Sequence, residues 1–300
     1  MIAKNRQAGS GMQIVYHLGA HCTDEERLLR CLLRNRSTLA EQGIEIPGPT
    51  RYRNLLVDMA RKLRGSPATR DTQAMVLDQI IETDEPTRIV LGWDSFMGFA
   101  QSALGEHLYP GGARRMAGFR SILPDLPHEF FLALRNPATF VPAIIEKIVP
   151  RGKPPPDVPD PMQLRWSELV LSLRAMVPDA AITVWCDEDT PLLWTTVLQA
   201  VSGHADETVL QDTDDLLERL MGPAGLQRMN AYLASHPPAD AAHRSRVVSA
   251  FLDKFAAPEA VETEIEVAGW TEGLVAELTD AYDRDVARLM QMDGVRVLVP

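Results

Sequence analysis

The chain has few cysteines, no excess of positive charge and no long apolar run, and each shortage closes off a class of function. Its three cysteines, Cys22, Cys31 and Cys186, form neither an even-numbered framework nor a Cys-x-x-Cys pair. That fits a reducing compartment better than a disulfide-stapled secreted fold. Thirty basic residues against forty-one acidic ones give a net charge of -11, a field that repels nucleic acid and anionic membrane surfaces. No apolar stretch approaches the length of a membrane span or a signal-peptide core. The expectation is a cytoplasmic protein without a nucleic-acid partner and without a membrane span. What is present is a chain of 300 residues, 45% of them hydrophobic, enough to bury a core unaided as a single domain over residues 1–300.

The pattern along the chain alternates strands with helices. Gln13 to Glu26 reads as a strand, a glycine turn and the start of a helix, with the leucine-rich helix predicted from about Asp24 to Gln42 and Gly43 as its stop. Helices are predicted at Arg51 to Arg64 and Thr72 to Ile81, and a short buried strand at Arg88 to Trp93. Glu129 to Leu134 forms the next strand, with Asn136 as helix cap and Pro137 at the first helical position. Residues 150–161 are too proline-rich for a regular element. A helix over Met162 to Val177 and a strand over Ala181 to Cys186 follow, and the acidic run Asp187, Glu188, Asp189 opens the Pro191 helix. Residues 212–293 are mostly helical, and residues 294–300 suit a final edge strand. This order implies an α/β fold, with a parallel sheet flanked by helices and a helical C-terminal part.

The segment from Gln13 to Glu26 carries the most chemistry. A strand, a glycine turn and a helix start can form an anion site, because backbone N–H groups and the helix dipole converge there. The usual lysine is missing, and Asp24, Glu25 and Glu26 stand where an incoming phosphate needs donors. Like charges a few ångströms apart repel by on the order of 4 kcal/mol per pair at an effective dielectric of about 20. Thr23 and Glu26 have the Thr-x-x-Glu spacing of a capping box, which would satisfy the helix's own N–H groups. A cation bridging the carboxylates to a phosphate is the alternative.

His17-Leu18-Gly19-Ala20-His21, the leucine-rich helix reaching Gly43-Ile44-Glu45-Ile46-Pro47, and the later Leu134-Arg135-Asn136-Pro137 resemble the bacterial branch of the P-loop sulfotransferases. Weaker similarity runs through Trp185 to Asp189 and the helix from Trp270 to Asp293. The resemblance implies a P-loop, sulfotransferase-like fold. It also implies transfer of a sulfuryl group from 3′-phosphoadenosine 5′-phosphosulfate (PAPS) to a hydroxyl or amine acceptor. It would assign cofactor contacts to Gly19, Ala20, His21, Cys22 and Thr23, the 3′-phosphate to Arg135, and the role of base to Asp94. The sequence departs from that pattern where Cys22 replaces the lysine, where carboxylates fill positions 24 to 26, and where Ala143 replaces a serine beside Pro142. These departures favour a second reading, a non-catalytic relative that binds a protein or a glycan, and leave a different nucleotide ligand as a third.

Each candidate also has a purely structural role open to it. Arg135 could pair with an acid or hold a carbonyl, and Asp94 could cap the residues after it. His17, His21 and Cys22 suggest a metal or a Cys-His nucleophile, but they flank a turn without ligand spacing, so no metal is expected. Asp187, Glu188 and Asp189 could hold a cation at a strand's carboxyl end or cap the next helix. Trp166, Trp185 and Trp194 are expected in the core and at the sheet edge.

Overall fold

In β1, Gln13–His17, successive side chains point to opposite faces of the sheet, and both faces need cover. A computed structural model describes residues 11–149, 160–257, 260 and 270–300. On one face Ile14 and Tyr16 enter the larger core, and on the other Val15 enters a second core. Five further strands complete the sheet: β2 Ile44–Glu45, β3 Arg88–Gly92, β4 His128–Leu134, β5 Ala181–Cys186 and β6 Val295–Leu298. Their order is β2-β3-β1-β4-β5-β6, and every pairing is parallel. The α/β class with a helix-flanked parallel sheet is therefore observed, and β6 is the expected edge strand.

Two helices before β2 and one after β5 cover the second face: α1 Arg27–Arg34, α2 Arg36–Ala40 and, later, a helix over Thr190–Ser202. The first face carries α3 Pro49–Leu63, α4 Arg70–Ile80, α5 Gly112–Arg120, α6 Pro137–Ile148 and α7 Trp166–Met176. Thr190–Ser202 is α8, and the helical C-terminal part follows as α9 Asp215–Ser235, α10 Ala241–Phe255 and α11 Glu272–Met290. A small third cluster of Leu217, Met221, Met229 and Val248 holds α9 to α10, while α11 places Tyr282, Val286 and Leu289 in the larger core.

Several boundaries differ from the sequence expectation, each for a local reason. The single helix from Asp24 to Gln42 is split at Asn35. The Asn35 side-chain amide donates to the carbonyls of Cys31 (2.8 Å) and Gln211 (2.9 Å) and accepts from the Gln211 N–H (2.7 Å). A side chain engaged this way competes with the helix backbone. Gly43 ends the second piece at φ +73°, the left-handed conformation that glycine adopts without penalty. The helix expected from Met162 begins at Trp166, after a short turn over Pro161–Gln163. Residues 150–159 of the proline-rich segment lie outside the described residues. Two elements were not expected, the two-residue β2 and α5. No helix among the described residues is long and apolar enough to cross a membrane.

Connections from β1 run toward β2 and β3, whereas those from β4 run toward β5 and β6. The carboxyl ends of β1 and β4 therefore flank a topological switch point, the crevice where open α/β sheets bind ligands. The segment after Gly19 and the Arg135-Asn136 pair both sit there.

Candidate functional site

The loop leaving β1 is bonded to β4 along its first residues. Leu18 N–H donates to the Phe131 carbonyl (2.8 Å), Ala20 N–H to the Ala133 carbonyl (3.2 Å), and Ala133 N–H returns to the Gly19 carbonyl (2.7 Å). Gly19 has φ +90°, and a Cβ there would lie 3.2 Å from the Asp94 Cα. Glycine is thus needed both for the conformation and for the close approach of the β3 edge.

At the start of α1, the capping-box expectation is corrected. Glu26 occupies the cap position in left-handed conformation, φ 63°, with no side-chain cap bond. Thr23 Oγ1 donates backward to the Ala20 carbonyl (2.7 Å), and the Glu26 carboxylate is taken by Arg53 (2.5 Å). Asp24 does the capping instead. Only 7% exposed, its Oδ2 accepts the Leu28 N–H at 3.0 Å and its Oδ1 the Glu26 N–H at 3.3 Å. A carboxylate on the free N–H groups of a helix's first turn is favoured by the hydrogen bonds and by the dipole. It also occupies the place an external anion would take.

Arg135 holds a carbonyl, one of the two structural roles open to it. Its guanidinium donates to the Cys22 carbonyl and to Thr139 Oγ1 (3.0 Å), while its own carbonyl accepts the Trp166 indole N–H (2.8 Å). Asn136 caps α6 as expected, accepting the Ala138 N–H at 2.9 Å, and its amide reaches Thr279 on α11 (2.9 Å). Glu188 closes this side, accepting the Asn136 N–H (2.8 Å) and the Tyr282 hydroxyl (3.2 Å). Asp187 beside it has its carboxyl pKa pushed up to about 7 by burial, reinforced by Glu188 and opposed by Arg135.

A second cluster assembles around His21, which is 2% exposed. Tyr109 Oη accepts the His21 backbone N–H (3.0 Å) and lies 2.8 Å from its Nδ1. Burial raises the Tyr109 pKa, so the phenol keeps its proton and donates it to Nδ1. The network thereby assigns the ring proton to Nε2, which faces Ser95 Oγ at 3.3 Å and Asp94 Oδ2 at 3.8 Å. Ser95 Oγ donates to Asp94 Oδ1 at 2.9 Å. Burial lowers the His21 pKa, with Asp94 acting in the opposite direction. His21 is therefore a neutral donor to Ser95 Oγ, which in turn donates to Asp94.

Asp94 does not cap a helix over Ser95 to Met97. The next helical turn is Ala100–Ser102, and its cap residue is Phe99. The Asp94 carboxylate instead meets Lys147, whose Nζ lies 3.8 Å from Oδ2. Because α6 begins at the β4 edge and ends beside Asp94, it crosses the crevice and delivers a lysine that the loop itself lacks. Phe140, Ile144 and Lys147 fall at i, i+4 and i+7, so the helical spacing carried a signal for this approach. Tyr109 and Ser95 were not legible, because only tertiary structure brings them to His21.

The structure thus gathers Gly19, Ala20, His21, Cys22, Thr23, Asp94 and Arg135 at one crevice. His17 points to the opposite face and stacks on Trp185, with ring centroids 5.9 Å apart. Cys22 is half-buried, and burial pushes its thiol pKa up despite Lys147 and Arg135 nearby. Among the described residues no group of three His, Cys, Asp or Glu side chains is placed to hold a metal ion. No family model, no curated protein and no solved structure matches the chain.

Proposed function

We propose that this chain is a binding protein on a sulfotransferase-like scaffold, one that does not carry out PAPS-dependent sulfuryl transfer. The observation behind the reading is the Asp24 carboxylate on the N–H groups of the cap residue Glu26 and of Leu28 in the first turn of α1. PAPS would have to displace this covalently tethered anion, while Glu25 and Glu26 are paired with Arg27 and Arg53. Arg135, which would hold the 3′-phosphate, is already engaged by the Cys22 carbonyl and Thr139.

The recognition surface on this reading is the crevice rim. There the exposed Phe99 packs edge-on to the half-buried Trp93, centroids 6.4 Å apart, beside Asp94 and Lys147. An aromatic face next to a carboxylate and an ammonium suits a glycan ring or a protein side chain as partner. The low cysteine count suits a cytoplasmic setting, and the net charge of -11 suits partners other than nucleic acid.

One observation favours residual transferase chemistry as the second reading. Lys147 lies 3.8 Å from Asp94, so an acceptor hydroxyl could lose its proton to Asp94 while the ammonium steadies the transferring group. Calorimetric titration with 3′,5′-adenosine bisphosphate, with and without magnesium, separates the two readings. The binding-protein reading expects no heat of binding in either condition, and saturable micromolar binding would overturn it.

A further inference from the structure

On the surface of the helical layer over the larger core, α3, α5 and the end of α7 enclose an open groove of about 520 Å³. Its floor is apolar and shallow-sided because the helices meet through small residues. Ala60, Ala117 and Gly118 line it, and a Cβ on Gly118 would touch the Ala60 Cβ at 3.7 Å. Met176, 48% exposed, forms one wall. Four arginines complete the lining: Arg61, Arg64, Arg114 and Arg115.

The charge there opposes that of the whole molecule. In a chain of net charge -11, four guanidiniums line one groove, and Arg61 pairs with Asp58, which lies outside that lining, at 3.2 Å. Arg115 is held in place. It donates to the carbonyls of Phe96 and Ser95 (3.1 and 3.4 Å) and lies over the Phe99 and Phe119 rings. Arg64 and Arg114 are exposed, and among the described residues neither forms an ion pair. Unpaired like charges gathered over an apolar floor are a complementary surface for an anionic partner with an apolar anchor.

We infer that this groove docks an acidic peptide segment of a partner protein, its carboxylates on Arg64 and Arg114 and one apolar side chain on the Ala60–Ala117 floor. The molecule's overall negative field disfavours a polynucleotide, whose charge is far denser than that of a short acidic peptide. The groove meets the crevice rim only through Arg115, which lies over Phe99, and the inference does not depend on the function proposed above.

The test is fluorescence anisotropy with a fluorescein-labelled Glu-Asp-Leu-Met-Asp-Glu peptide on the full chain. A peptide with lysines in place of the acids and a labelled single-stranded RNA hexamer serve as comparison probes. The expected result is saturable binding of the acidic peptide alone, weakened by salt. The Arg64→Glu, Arg114→Glu double variant should lose at least about tenfold in affinity, and the Arg64→Lys, Arg114→Lys variant should keep most of it. Both positions are exposed, so unchanged melting curves verify that the variants fold. Three results would each overturn the inference: no acidic-peptide binding, binding that the charge reversal leaves unchanged, or RNA binding in place of peptide binding.

Discussion

The edges after β1 and β4 are both strand-to-helix turns at the same switch point, yet they satisfy their helices differently. After β4 the cap is the residue next to the helix, Asn136, followed by Pro137. After β1 the adjacent residue, Glu26, is drawn off by Arg53, and the capping falls to Asp24, two residues further back. A local pattern held where the tertiary partner, Thr279, took only the Asn136 NH2 and left Oδ1 to the helix, and failed where Arg53 took the Glu26 carboxylate itself.

Removing the brace common to both edges should have the largest effect. Trp166 is fully buried and donates to the Arg135 carbonyl, so Trp166→Ala should cost roughly 3–5 kcal/mol in urea unfolding. Asp24→Ala leaves the Glu26 and Leu28 N–H groups without their acceptor and should cost about 2 kcal/mol. Asn136→Ala should cost about 1 kcal/mol at the other edge. If the capping box operated, Thr23→Val and Glu26→Gln would match Asp24→Ala. The geometry expects each to stay within about 1 kcal/mol.

A pH series sharpens the comparison on the β4 and β5 side. Folding raises the Asp187 pKa from 3.8 to about 7. Between these values the native state holds the proton more tightly than the unfolded chain, so stability falls as pH rises through the window and levels off above it. Asp187→Asn should remove that slope and stabilise the protein at pH 8 by about 2 kcal/mol, half the nominal value to allow for solvent screening. An unchanged slope in unfolding curves from pH 4 to 8 would contradict the assignment.

How far the sequence could be read follows from the range of each interaction. The strands after Gln13, Arg88, Glu129 and Ala181 were legible because burial on both faces leaves continuous apolar runs. Gly43 and the Asn136-Pro137 start were legible because their geometry is local. The break at Asn35 was not, since it depends on Gln211, far along the chain. Gly19 to Thr23, Asp94 and Arg135 follow the ends of β1, β3 and β4, positions that the strand pattern alone conveys. The α6 spacing carried a signal for Lys147, whereas the roles of Asp24 and Tyr109 depend on where α3 and α5 cross the sheet, which the pattern of apolar residues does not encode.

The central claim is that Asp24 fills the anion cradle of α1. Melting curves of the wild type and Asp24→Ala, recorded against rising 3′,5′-adenosine bisphosphate, test it most directly, because a ligand that binds only the native state raises its melting temperature. The account predicts no shift for the wild type and a concentration-dependent rise for Asp24→Ala. A wild type stabilised as strongly as the variant would contradict it.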